Sequence, residues 1–136
     1  MTDELSLSYI LNHLGEERER HHGAVTPPIY QTSNFAFASV AAMREAGKDE
    51  LANVFYTRGN NPTVEILRRK LAALERTEDA LVFGSGAAAV SAGVLAVVRE
   101  GEHVVCVQKP YAWTRVLVRD WLPRFGIQFS FVDGSS

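Results

Sequence analysis

Residues 81–90 read LVFGSGAAAV: an apolar run, a Gly-Ser-Gly turn and then a series of small residues. ALVF (80–83) has the length and composition of a short buried strand. GSGAAAVSAGVLAVV (84–98) continues as a loop running into a helix. A strand that turns through Gly84, Ser85 and Gly86 into a helix leaves that helix's first N–H groups without intrahelical acceptors. Together with the helix dipole they favour an anion. Small residues at 86–89 let an anion approach the backbone closely, and ligands of open α/β sheets bind outside the carboxyl ends of strands. The stretch has neither the lysine of a phosphate loop nor the full spacing of a dinucleotide fingerprint. Two readings stay open on these residues alone: an anion cradle, or glycines that merely permit a tight strand-to-helix turn.

Working toward the C-terminus, HVVCV (103–107) and IQFSFVD (127–133) predict two more strands, the first of them buried. Gly101 is placed to stop the preceding helix. Trp113, Val116, Leu117, Trp121 and Phe125 outline an amphipathic helix between the strands, disturbed in its last turn by Pro123 and ended by Gly126. Strand–helix–strand–helix–strand implies a parallel α/β sheet with right-handed crossovers. Such strands are buried on both faces and need helices on each side. The two helices here are too few for that, and the final DGSS reads as the start of a loop, so the expectation is an incomplete parallel sheet. Tyr111, in QKPYAWT, falls just past the second strand, where its ring either stacks on a flat heterocycle or serves as an ordinary boundary tyrosine.

Toward the N-terminus the chain divides near residue 61. Asn61 suits an N-cap and Pro62 the first helical position. Val64, Leu67, Leu71 and Leu74 then form an apolar stripe, with Glu65, Arg68, Arg69 and Glu75 mostly away from it. Residues 1–61 are patterned more weakly. Leu7, Ile10, Leu11 and Leu14 share a helical face that Gly15 ends, GEERERHH (15–22) reads as solvated charge, and Ser39 caps a short helix through Met43 to Ala46, closed by Gly47. An arm this long and this apolar needs another subunit or a larger body to lie against. Within it, VFYTRGNNPT (54–63) places Tyr56 and Arg58 two apart. In an extended stretch both point to one side, where a phenol and a guanidinium converge on an oxyanion. A solvated surface arginine is the alternative.

Composition narrows the classes. With 46% hydrophobic and 22% charged residues, the 136-residue chain has the balance of a folded domain. A net charge of −2 gives no sign of nucleic acid or an anionic membrane as partner. Segment 86–98 is too short to span a bilayer, and MTDELSLSYI lacks the basic region and apolar core of a signal peptide. Cys106, alone in an apolar run, reads as a buried, inert thiol. No metal site is singled out, and these features together point to the cytoplasm.

HHGAVTPPIYQTSNFAF (21–37), FYTRGNNPTVEILRRKLAALE (55–75), ALVFGSGAAAVSAGVLAVV (80–98), GEHVVC (101–106) and FGIQFSFVD (125–133) occur in the order seen in a known family. In these segments the chain resembles the pyridoxal-phosphate-dependent trans-sulfuration enzymes of Cys/Met metabolism, of the cystathionine γ-synthase, cystathionine lyase and methionine γ-lyase type. The resemblance implies fold type I, with residues 1–61 as an arm for subunit contacts and 62–136 as the start of the large cofactor-binding domain. It implies pyridoxal 5′-phosphate as cofactor, a sulfur amino acid or an activated homoserine as substrate, and a homotetramer built as a dimer of dimers. Ser85 and the backbone amides of Gly86 and Ala87 match the phosphate cradle. Tyr111 matches the tyrosine stacked on the pyridine ring, which also takes part in proton transfer or leaving-group steps. Tyr56 and Arg58 match a pair that reaches the phosphate of the neighbouring subunit's cofactor.

The chain departs from the family pattern at Ala112 and Trp113, where relatives have glycines, and at Ala87, often methionine. Relatives are also much longer. None of Lys48, Lys70 and Lys109 stands in the setting of the family's Schiff-base lysine, and Lys70 reads as solvated. The expectation is therefore an N-terminal portion of a sulfur amino acid lyase or transferase, not catalytic alone and complemented by a C-terminal portion. One alternative is a non-catalytic relative acting in assembly or as an anion-binding module; another, from the strand–Gly–helix unit alone, is a small nucleotide-binding domain, which leaves Tyr56 and Arg58 unexplained.

Overall fold

Four helices begin where a short polar side chain accepts a hydrogen bond from the first turn. Ser6 does so for α1 (Leu7–Asn12), Ser39 for α2 (Val40–Ala46), Asn61 for α3 (Pro62–Glu75) and Ser85 for α4 (Gly86–Val97). Pro62 occupies the first turn of α3, as its missing N–H allows. The computed structural model describes residues 5–135. Residues 1–4, part of the stretch read as lacking a signal peptide, and Ser136 lie outside the described residues. The chain divides into two compact units, Met1–Val82 and Phe83–Ser136.

In the first unit α1 packs on α3. The Lys70 ammonium donates to the Leu11 carbonyl at 2.8 Å and to Glu16 Oε1 at 2.6 Å. Lys70 is thus tied into a half-buried ion pair rather than solvated, which corrects the reading from sequence. The hydrogen bond from Lys70, aided by Arg18, holds the Glu16 carboxyl below its ordinary range. The charge run that contains Glu16 is accordingly part of the packing, and Arg18–His21 forms a 3₁₀ turn within it.

Helix α3 has the expected extent but not the expected buried face. Val64, Leu67, Leu71 and Leu74 are all exposed, whereas Arg68 and Ala72 are buried. Arg68 Nε donates to the Ala80 carbonyl at 2.9 Å and its Nη2 pairs with Asp79. That hydrogen bond holds the Asp79 carboxyl below its ordinary range. Periodicity reports which face is apolar; whether it is buried is a separate matter, and the described residues leave these leucines exposed.

The second unit is α4, β1 (His103–Val107), α5 (Ala112–Val116) and β2 (Gln128–Val132). The strands pair in parallel from His103 opposite Gln128 to Val107 opposite Val132. Val118, Leu122 and Ile127 form the core, and Val94, Val98, Val104, Cys106, Leu117, Phe129 and Phe131 pack on it. One sheet face is covered in this way. On the other, Val105, Val107 and Val132 are exposed, so β1 is not a strand buried on both sides.

Two further expectations are corrected. Residues 80–83 form no strand, and Leu81, Val82 and Phe83 are exposed, so the parallel sheet has two strands rather than three. The helix expected over 113–125 forms, but Trp113, Trp121 and Phe125 are exposed while Val118 and Leu122 are buried. After α5 the chain passes through a π-helical turn, Leu117–Trp121, and a 3₁₀ turn, Leu122–Phe125. The wider turn rotates the later residues relative to a regular 3.6-residue register and brings a different face onto the sheet. Gly126, at φ 71°, ends the helix as its position suggests.

Candidate functional site

The cradle is built by backbone. Ser85 is extended (φ −158°, ψ 154°) and its Oγ accepts from Ala88 N at 3.1 Å. The Ser85 carbonyl accepts from Ala89 N at 3.1 Å. Gly86 and Ala87 occupy the first two helical positions, where the geometry of an α-helix offers their N–H groups no acceptor four residues back. Ser85, satisfied as an acceptor, keeps its hydroxyl proton free to donate.

Glycine at 84 and 86 is not explained by the chain itself. Neither residue has a positive φ, and a Cβ built on either meets no atom within 4 Å. An L-residue would therefore fit both positions without strain or clash. The reading in which these glycines serve only a tight turn loses its physical basis. What remains is open space beside Gly84 and Gly86 at a helix start, where the first-turn N–H groups and the helix dipole suit an anion. α4 is apolar, yet none of its residues is buried.

Tyr111 is the residue before α5, four positions beyond the end of β1. Its side chain is exposed, and among the described residues the ring and hydroxyl meet no partner. The expected Tyr111 position past the strand end is thus realised, with a free aromatic face.

In the first unit Tyr56 and Arg58 converge, by a route different from the expected one. The segment is a turn rather than an extended stretch, with Gly59 N and Asn60 N both donating to the Tyr56 carbonyl, at 2.9 and 3.2 Å. The guanidinium carbon of Arg58 lies 5.3 Å from the centre of the Tyr56 ring, a cation–π distance. Arg58 also has a partner that sequence reasoning did not find: its Nη2 is 3.4 Å from Glu50 Oε2. Both side chains are substantially exposed, so the pair is loose.

The turn is anchored from beneath. Tyr56 forms an isolated antiparallel bridge with Asn34, and Thr57 N donates to the Ser33 carbonyl at 3.0 Å. The Thr57 hydroxyl bonds the Thr32 carbonyl. Asn61, buried, accepts from Thr63 N at 2.9 Å while its Nδ2 donates to Tyr30 O at 3.0 Å and Thr57 Oγ1 at 3.1 Å. One side chain thus caps α3 and fixes the turn. Asn60, also buried, donates from Nδ2 to Leu51 O at 3.2 Å and Glu65 Oε2 at 3.4 Å. Its Oδ1 meets no donor among the described residues. Consecutive asparagines after a glycine were the only sequence signal for this scaffold.

Among the described residues no group of three or more His, Cys, Asp or Glu is arranged to hold a metal ion, and no helix is long and apolar enough to cross a membrane. Of the lysines, Lys48 pairs with Glu45 and Lys70 with Glu16, while Lys109 is exposed.

Comparison with known proteins supplies the remaining context. Residues 9–136 match the family model of the Cys/Met metabolism PLP-dependent enzymes. The chain is 39% identical over 115 residues to an L-methionine gamma-lyase of Fusobacterium nucleatum subsp. nucleatum, covering 85% of this chain and 29% of that protein. It is 36% identical over 121 residues to a probable cystathionine gamma-synthase of Herpetosiphon aurantiacus, covering 89% and 35%. With an O-acetyl-L-homoserine sulfhydrylase of Corynebacterium glutamicum it shares 35% identity over 121 residues, covering 89% and 28%. The chain therefore spans about a third or less of the length of these curated relatives.

Proposed function

Because the chain belongs to the Cys/Met metabolism PLP-dependent enzymes, we propose that it supplies the phosphate-holding part of an enzyme acting on a sulfur amino acid or an activated homoserine. The reaction in this reading is β- or γ-elimination or γ-replacement. Pyridoxal phosphate is the cofactor of the family, which implies fold type I, and the parallel β1–β2 pair with helices is consistent with it. When bound, the cofactor supplies an electron sink for carbanion chemistry on the amino acid.

In this reading the N–H groups of Gly86 and Ala87 and the Ser85 hydroxyl donate to the cofactor phosphate. Tyr111 lays its exposed ring on the pyridine and holds or moves a proton at its phenol oxygen. Tyr56 and Arg58 reach the phosphate of the neighbouring subunit's cofactor. The observation that carries the reading is the space beside Gly84 and Gly86, which no described residue fills, at two positions where no positive φ requires glycine. The protein would act in the cytoplasm, as a dimer of dimers or together with a complementing C-terminal portion; a single half-buried cysteine suits a reducing compartment.

Equilibrium dialysis tests the phosphate-holding role. Pyridoxal 5′-phosphate should bind and be displaced by inorganic phosphate, whereas pyridoxal, which lacks the phosphate, should bind far more weakly. Equal retention of the two would remove the basis for the cradle.

A further inference from the structure

Glu50 is held against Arg58 by more than chance proximity. A Cβ on Gly59 would lie 2.8 Å from Glu50 Cβ and 2.9 Å from its carbonyl oxygen, so glycine is what lets the two backbones approach. Asn60 fastens the next residue through its bond to Leu51 O. On the other side Asp49 Oδ1 accepts from Leu51 N and Ala52 N, each at 3.0 Å, closing a turn that carries Glu50. The carboxylate is thereby delivered to the Arg58 guanidinium, yet it makes one contact at 3.4 Å instead of the two-pronged fork that the groups are capable of. Arg58 does not depend on Glu50 for its direction, because the Tyr56 ring supports it independently.

We propose that Glu50 is an internal placeholder for the phosphate: its carboxylate occupies Arg58 until a phosphate dianion displaces it. The inference rests on the reading of Arg58 as a phosphate ligand. A dianion that takes both prongs of the guanidinium outcompetes a monoanion that takes one. Glu50 therefore lowers affinity for the phosphate by the cost of its own displacement.

Retention of pyridoxal 5′-phosphate by the full chain in its purified assembly, measured by dialysis, tests the proposal. Glu50→Gln keeps the shape of the side chain and removes its charge. It should tighten binding by about two- to five-fold, the scale of a lost exposed ion pair. Glu50→Asp retains the charge but withdraws it by one methylene, and it should tighten binding too. Glu45→Gln, an equal charge change at a site paired only with Lys48, should leave affinity unchanged. In an Arg58→Ala background, which itself binds more weakly, Glu50→Gln should have no effect. Weaker or unchanged binding in Glu50→Gln, the same gain from Glu45→Gln, or a gain that persists without Arg58 would overturn the placeholder while leaving Arg58 a ligand. If Arg58→Ala alone changes nothing, the reading of Arg58 fails, and the placeholder fails with it.

Discussion

Gly86→Ala separates a glycine kept for folding from one kept for a ligand, because the two roles give opposite signs. Gly86 is the first residue of α4, its φ is not positive, and an added Cβ meets no atom within 4 Å. Alanine there reduces the conformational freedom of the unfolded chain at no steric cost in the folded one. At compatible positions this stabilises by about 0.4–1 kcal/mol, and at a first-turn position the lower end applies. The same methyl group projects into the space assigned to the phosphate. An overpacked contact costs about 1–3 kcal/mol, equivalent to roughly a five- to 150-fold weaker dissociation constant. Urea unfolding followed by far-UV circular dichroism reads the first quantity, and dialysis of pyridoxal 5′-phosphate reads the second. Stability should rise slightly while affinity falls. A loss of stability would mean that the turn itself needs glycine. A gain in stability with unchanged affinity would mean that no ligand approaches the backbone at this point.

Asn61→Ala should destabilise the first unit by more than a lost cap alone, about 1 kcal/mol, because the Tyr30 carbonyl and Thr57 hydroxyl lose a buried donor as well. Asn61→Ser keeps a capping oxygen without those two bonds, so urea melts should rank wild type above Ser and Ser above Ala. Glu16, whose carboxyl is held below its ordinary range by Lys70 and Arg18, stabilises the docking of α1 at pH values above the unfolded carboxylate pKa. That contribution should disappear as pH falls through the depressed folded-state value. Protection factors at the amides of Leu7–Asn12, exchange rates divided into the intrinsic rate at each pH, should fall over this acid range, and in Glu16→Gln they should already be low at neutral pH and insensitive to the change.

Local rules carried much of the architecture. Ser39 and Asn61 were recognisable as caps, since each precedes a run with helical character, and Gly126 was recognisable as a stop. The strands at 103–107 and 127–133 followed from apolar runs either side of a helix. What the sequence concealed was cover. The stripe Val64, Leu67, Leu71 and Leu74 is genuine as a period but stays exposed, and the apolar run 80–83 forms no ladder. The π turn at Leu117–Trp121 hid a second way, because a change in helix pitch leaves no mark in a hydrophobic pattern read at 3.6 residues per turn. At the candidate site, the helix start at 85–87 was legible from small residues after an apolar run. The turn at Tyr56 was legible only through Gly59, Asn60 and Asn61, whose burial depends on segments 30–34 and 49–53. Glu50 stands eight residues before its partner with no periodic relation to it, so its role emerges only from the three-dimensional contact.

The cradle is tested most directly at its own two donors. In a ¹H–¹⁵N correlation spectrum the amide protons of Gly86 and Ala87 should move strongly downfield on titration with pyridoxal 5′-phosphate, as N–H groups do when they gain a charged acceptor, and should stay in place with pyridoxal. Shifts confined to other residues, or equal shifts with both compounds, would contradict the assignment of these two N–H groups to the phosphate.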